Sequence, residues 1–232
     1  MALMQESVKS GAYDNAARQA KSQETRQRIL DVARTLMLER GYRATTISEV
    51  ARRSGVHVDT VYQLVGRKPV LLRELIEQAI SGADHAVVAE EREYVLAVQA
   101  EPDPAAKLAL YAHAIRQVQA RMAPLFLALR DAATTEPEAS EVWQEISNRR
   151  AANMRKLALE LQGAGGLRPG LSIDEAADVI WATNSSELYT LLTAERKWTA
   201  DHYESWLADT WRRLLLPERT DAQNRREQAG PD

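Results

Sequence analysis

Between His57 and Lys68 the chain places hydrogen-bonding side chains beside two cations: His57, Asp59, Thr60, Tyr62 and Gln63, then Arg67 and Lys68. Gln and Thr can bond base edges or phosphates, Tyr can reach a phosphate, and His57 can bond one too. Lys68 opens a predicted helix, so its ammonium and the helix's first amides would both favour a phosphate oxygen. The chemistry on offer is recognition of a nucleic acid. No bond-making or bond-breaking constellation accompanies it.

Such side chains need a rigid frame, and residues 41–72, GYRATTISEVARRSGVHVDTVYQLVGRKPVLL, supply one. Gly41 ends a helix predicted over Glu24 to Arg40, whose Ile29, Ala33, Leu36 and Met37 share a face. Thr45 or Thr46 caps the next helix, and Glu49 stands three residues after Thr46, as in a capping box. That helix runs about Ile47 to Ser54 and turns Ile47, Val50 and Ala51 inward. Gly55 supplies the positive φ of a sharp turn, and Val56 plugs the turn. A second helix, about Val58 to Val65, buries Val61 and either Leu64 or Val65. Pro69 is tolerated in the first turn of the following helix, where its missing donor has no partner to lose. This is the layout of a helix-turn-helix, which lays its second helix in the DNA major groove. A helical hairpin with a solvated basic corner is the competing reading. The full string Thr-Ile-x-x-Val-Ala-x-x-x-Gly-Val-x-x-x-Thr-Val-Tyr, with Lys68 after it, argues against that plainer reading.

The segment resembles the DNA-binding domain of the tetracycline-repressor (TetR) family of bacterial one-component regulators. The matching residues are Gly41 and Tyr42, Thr45-Thr46-Ile47, Val50-Ala51, Gly55-Val56, Thr60-Val61-Tyr62, and Lys68 with Leu71-Leu72. His57 stands where the family commonly has Ser, Val65 where it has Phe, and Gly-Arg-Lys-Pro replaces the more usual Pro-Ser-Lys-Glu. The resemblance implies an all-α protein of about nine helices. It also implies a larger helical domain with an effector pocket and a homodimer made by the last two helices, here about 173–216. Its partners would be a double-stranded, near-palindromic operator and a small-molecule effector. The DNA-facing set would be Thr46, His57, Val58, Asp59, Thr60, Tyr62, Gln63, Arg67 and Lys68.

Charge distribution supports the assignment. The net charge of −3 alone argues against a nucleic-acid binder. Residues 1–80, however, hold 13 Lys plus Arg against 9 Asp plus Glu, a balance of +4, and the remainder holds 17 against 24, a balance of −7. A cationic first domain on an acidic body suits a protein that meets phosphate at one end. Four stretches follow: a polar, irregular, mobile arm over 1–22, the helix-turn-helix domain over 23–79, a helical effector and dimerisation domain over 80–216, and a charged, disordered tail over 217–232. The chain has no cysteine, hence no disulfide frame or thiolate site. It shows no signal-like apolar start, and its longest apolar run, 122–129, is too short to span a bilayer. A soluble cytoplasmic protein is expected.

In the larger domain, Glu101-Pro102-Asp103-Pro104 breaks one helix and starts another with the stripe Leu108, Tyr111, Ile115, Val118 and Met122. Pro124 is expected to open a separate helix and Pro137 a long one, ended by Gly163-Ala164-Gly165-Gly166. The helix from Lys68 could run past Asp84. Ser172 caps a helix with the stripe Ala177, Trp181, Asn184, Leu188 and Leu191. Thr199 caps the last, with Tyr203, Trp206, Leu207, Thr210 and Leu214. The glycine cluster lacks the Lys-Ser/Thr of a phosphate loop. His57, His85, His113 and His202 form no metal-ligand spacing. No catalytic residue, metal site or cofactor is therefore expected. Asn184 on an apolar stripe needs a partner, because a buried unpaired amide costs about 1–3 kcal/mol. That partner could be a neighbouring helix, the dimer seam, water or a ligand. With Tyr111, Phe126, Trp143, Asn153 and Trp181 it forms the candidate ligand-lining set, although Tyr111 and Phe126 also read as plain core.

The reading that results is a homodimeric regulator, a repressor released from its operator by a small molecule. The alternative is a helical protein that sequesters a small hydrophobic molecule without operator binding, and Val65 in the recognition helix is its one support. No Gly-x-Ser-x-Gly or acid–base pair points to an enzyme.

Overall fold

The computed structural model describes residues 2–218, with side chains from residue 17 onward. Every regular element among them is helical. They are α1 (Ala2–Ala44), α2 (Ile47–Ser54), α3 (Val58–Leu64), α4 (Lys68–Ser81), α5 (Glu93–Ala100), α6 (Pro104–Ala133), α7 (Pro137–Gly163), α8 (Ile173–Thr183), α9 (Ser186–Thr190) and α10 (Ala200–Leu215). A 3₁₀ turn covers Ala89–Glu91 and a π turn Leu191–Glu195. This is the expected all-α plan, reached with several local differences.

The chain divides into two compact units. One takes the residues up to Ala86 together with 124–143; the other takes 87–123 and everything from Gln144 onward. The stretch 124–143, expected within the 80–216 domain, thus groups with the helix-turn-helix. In the first unit α1 packs on α2, α3 and α4. Ile29, Leu30, Ala33, Leu36 and Met37 of α1 are buried, as are Val50, Ala51, Val61, Leu71, Leu72, Leu75 and Ile76 from the other three helices. Burying each of the larger side chains contributes about 1.5–3 kcal/mol. In the second unit α10 packs on α8. Its Tyr203, Leu207, Trp211 and Leu215 join Leu108, Tyr111, Ile115, Met154, Leu157, Leu161 and Ile180 in one core.

The differences have local causes. Residues 2–22, expected to be irregular, are helical backbone continuous with α1; the Ala, Gln, Lys, Arg and Glu there are good helix formers. Gly41, at φ 81° and ψ 165°, interrupts α1 where a helix end was expected. α4 stops at Ser81 instead of passing Asp84. Gly82 takes a left-handed φ of 74°, and the Gln78 amide bonds the Asp84 carbonyl at 2.6 Å. Pro124 opens no new helix but lies inside α6, a cost carried at the point where the chain passes from one unit to the other. α5 was not anticipated. Ser172 caps α8 with a full capping box to Glu175, and Thr199 caps α10, both as expected. α10, however, turns Leu214 outward at 40% exposure and buries Trp211 and Leu215 in its place. Of the expected tail, residues 219–232 lie outside the described residues.

Candidate functional site

The helix-turn-helix is fixed by bonds at both ends of α2 and at the C-terminal end of α3. The Thr46 hydroxyl accepts from the Glu49 amide at 3.2 Å and caps α2. Glu49 does not return the bond to complete a capping box. Its carboxylate is held by Arg52 and Arg53 at 2.8 and 2.9 Å, which lowers its pKa to about 2. Gly55 closes α2 in the left-handed region, φ 67° and ψ 33°, with its amide donating back to the Ala51 and Arg52 carbonyls. Val56 N–H bonds Ala51 O at 3.0 Å and locks the turn.

Two arginines of α1 complete the frame, and sequence reasoning passed over both. Arg28 Nε donates to the Ser54 carbonyl at 3.0 Å, and Arg26 Nε to the Leu64 carbonyl at 3.2 Å. Each guanidinium satisfies a C-terminal carbonyl that α2 or α3 leaves without an intrahelical donor and complements the helix dipole there. The signal was present as basic residues on α1, but the carbonyls they meet lie 26 and 38 residues away in sequence.

On this frame α3 buries Val61 fully and holds Leu64 and Val65 half-buried. His57, Asp59, Tyr62 and Gln63 are exposed, and Val58 and Thr60 are partly so. Thr46 is exposed beside them. One face is thus anchored, and the other presents the side chains suited to base edges and phosphates.

The two cations after α3 are already engaged. Lys68 is half-buried. Its ammonium donates to the Tyr42 carbonyl at 3.0 Å and lies 3.9 Å from the centre of the Tyr42 ring. Burial lowers its pKa. The Tyr42 hydroxyl donates to Glu136 at 2.7 Å, and burial together with that carboxylate pushes the phenol's pKa up. Arg67 pairs with Glu138, and Arg43 with Asp131 at 3.3 Å. Lys68, expected to meet a phosphate oxygen, thus already holds a bond within the protein. Its first bond is structural, joining α4 to the end of α1, and a phosphate would share it. Arg67, far more exposed, holds only a surface pair, a class worth about 0–1 kcal/mol, and can exchange it for a phosphate.

The second candidate set is brought together only in part. Phe126 and Trp143 belong to the first unit, whereas Tyr111, Asn153, Trp181 and Asn184 belong to the second. The helical spacing that linked Trp143 to Asn153 runs along α7, which passes from one unit into the other. Trp181 is 37% exposed, with the Arg150 guanidinium over its ring at 5.5 Å. Asn153 is half-buried.

Asn184 does not continue a helical stripe. It is the C-cap of α8, and Ser185 starts α9 by accepting from Leu188 N–H. The single helix expected over about 173–194 is broken there because Asn184 turns its polar groups to other helices. Its Oδ1 accepts from Arg150 Nη2 at 2.7 Å, its Nδ2 donates to Tyr111 Oη at 3.3 Å, and its carbonyl accepts from Gln119 Nε2. Gln119 Oε1 in turn accepts from the Ser186 hydroxyl at 2.9 Å. The buried amide thus finds its partners within the protein. Arg150 and Gln119, both essential to this cluster, were not in the candidate set. Burial lowers the Arg150 pKa, yet an arginine remains cationic.

Among the described residues no group of His, Asp and Glu could hold a metal ion. No helix among them is long and apolar enough to cross a membrane.

Comparison with known proteins agrees with this geometry. Residues 29–75 match the family model described as bacterial regulatory proteins, tetR family. An uncharacterized HTH-type transcriptional regulator of Bacillus subtilis, YvkB, is 39% identical over 54 residues, 23% of this chain and 29% of that protein. The chain thus matches less than a third of that curated relative's length. Over the whole fold, NalD of Pseudomonas aeruginosa, the secondary repressor of the MexAB-OprM multidrug efflux pump, superposes with a TM-score of 0.65 at 23% identity. That match covers 85% of this chain and all of NalD. The fatty acid degradation regulator FadR of Bacillus halodurans gives a TM-score of 0.65 at 18% identity, covering 81% of this chain and 94% of that one. At such identities the likeness is one of fold.

Proposed function

We propose that this chain, whose residues 29–75 match the family model of tetR-type bacterial regulatory proteins, is a transcriptional repressor of that family, not an enzyme, released from its operator by a small molecule. The observation that carries the reading is α3 itself. Val61 anchors one side, and His57, Asp59, Tyr62 and Gln63 stand exposed on the other. Gln63 is suited to reading a base edge. Thr46, His57, Tyr62 and Arg67 are suited to phosphates, with Lys68 as a shared contact.

A second copy completes the machine. Trp206 is half-buried, while Leu214 and Trp181 are exposed on α10 and α8, an apolar surface that suits a homodimer through about 173–216. Two-fold symmetry would present recognition helices about 34–36 Å apart to a near-palindromic site. Release requires that the effector bind the DNA-incompetent state more tightly, since equal affinity for both states shifts nothing. The polar cluster around Asn184, with Tyr111 and Trp181 beside it, is the effector site this reading favours.

Binding-site selection from a genomic pool tests it. A single enriched, near-palindromic sequence is expected, bound by a dimer in light scattering at micromolar concentration. Enrichment of no sequence would replace the reading with small-molecule sequestration.

A further inference from the structure

In the polar cluster of the second unit two buried phenols have no strong acceptor among the described residues. Tyr203 of α10 is fully buried, and its hydroxyl meets no hydrogen-bond partner among the described residues. The Tyr111 hydroxyl, also buried, gives its proton to the Met154 sulfur at 3.3 Å. Asn184 Nδ2 reaches the same sulfur at 3.2 Å. A thioether is a weak acceptor. The Asn184 side-chain oxygen, the good acceptor here, already receives Arg150. Burial pushes both phenols above their ordinary pKa, so both remain protonated donors near neutral pH. The surroundings are aromatic: Tyr111 stacks on Trp211 at 5.3 Å, and Tyr189 meets Tyr203 edge-on at 5.0 Å.

A buried donor without an acceptor carries the cost of its desolvation, and phenylalanine would fill the place of Tyr203 without that cost. The hydroxyl becomes useful once an acceptor arrives. We propose that Tyr203 and Tyr111, backed by Asn184, are the polar anchor of the effector site, and that the effector is a small aromatic or apolar molecule bearing an acceptor oxygen, as in a ketone, carboxylate or phenolate. This rests on the ligand-released reading above and adds the chemical class. The oxygen accepts a hydrogen bond from the Tyr203 hydroxyl and draws the Tyr111 hydroxyl away from sulfur, while the apolar body replaces contacts among the rings.

Calorimetric titration of the full chain tests the assignment with two matched series: 2-naphthoate, 2-acetylnaphthalene and 2-ethylnaphthalene, and benzoate, acetophenone and ethylbenzene. In at least one series an oxygen-bearing member is expected to bind about tenfold or more tightly than its hydrocarbon, the scale of one well-made buried hydrogen bond. The ketone and the carboxylate arms separate a neutral acceptor from an anionic one. Tyr203→Phe is expected to erase that margin, leave hydrocarbon affinity unchanged, and melt without ligand at or above the wild-type temperature. Equal affinities, binding by no member at millimolar concentration, a margin that survives Tyr203→Phe, or a variant that melts lower or fails to fold would each overturn it. Failure here in a protein that still selects an operator removes the anchor alone. Success in a protein that selects none removes the regulator reading alone.

Discussion

The helix-turn-helix and the Asn184 cluster are both built of hydrogen bonds, but they spend them in opposite ways. In the first, the bonds go inward to the backbone: Thr46 caps α2, Gly55 turns the chain, and Arg26 and Arg28 close the carbonyl ends. His57, Asp59, Tyr62 and Gln63 of the recognition segment are left exposed. In the second, side chains from α6, α7, the α8–α9 break and α10 are turned inward onto one another, and the Tyr203 and Tyr111 hydroxyls are left without a strong acceptor among the described residues. A surface that reads a constant polymer can be rigid and finished before its partner arrives. On the reading proposed above, the interior site buries polar groups first and completes their bonding when the small molecule arrives, at a cost in stability.

That contrast can be broken most severely on the packing side. Trp211→Ala removes a fully buried indole that stacks on Tyr111 and donates to Thr183 at 2.7 Å. A loss of about 3–5 kcal/mol is expected in urea denaturation; a loss under about 1 kcal/mol would mean that α10 is not packed through this face. Asn184→Leu is the next largest. It deletes the Oδ1 that accepts from Arg150 and the Nδ2 that donates to the Tyr111 hydroxyl, so a loss of about 1–3 kcal/mol is expected even though leucine is the more apolar residue. A leucine variant more stable than wild type would show that the amide is ordinary core without need of these bonds.

The same contrast explains what the sequence revealed. Caps and turns are local: Thr46, Gly55, Ser172, Thr199, Pro104 and Pro137 act on backbone within four residues, and each marks a helix end where the structure has one. The helix-turn-helix consists almost wholly of such signals, so its boundaries and its buried Val50, Ala51 and Val61 were legible. Pro124 misled because proline inside a long helix looks like proline at the start of a new one. The break at Asn184 was invisible because its causes, Arg150 and Gln119, lie 34 and 65 residues away. Tyr203 read as one more apolar-stripe residue, since nothing in a sequence reports that a hydroxyl lacks an acceptor.

Gly55 sharpens the comparison from the first unit. A Cβ there would meet nothing within 4 Å, so a substitution acts through its left-handed φ of 67° alone. Gly55→Ala should cost about 1–2 kcal/mol, and Gly55→Asn distinctly less, because Asn tolerates that conformation. Chemical denaturation checks both. Equal effects from Ala and Asn would move the cause from backbone strain to some contact of the side chain.

The smallest effect concerns Glu49, the partly exposed carboxylate that binds Arg52 and Arg53 instead of completing a cap. Its folded pKa, about 2, lies below the ordinary carboxylate value of 4.5. The folded state therefore binds this proton less readily than the unfolded chain, and the group's stabilisation is present in full above pH 4.5 and fades as pH falls toward 2. Partial exposure and salt screening keep the contribution small. Between pH 5 and pH 3 at low ionic strength, amide exchange in α2 should quicken slightly more in the wild type than in Glu49→Gln, after correction for the intrinsic pH dependence of exchange. Raising the salt should close that gap. A gap that persists at high salt would show that Glu49 acts through bonds shielded from solvent, and the helix-turn-helix would then share the interior polar dependence that here distinguishes the Asn184 cluster.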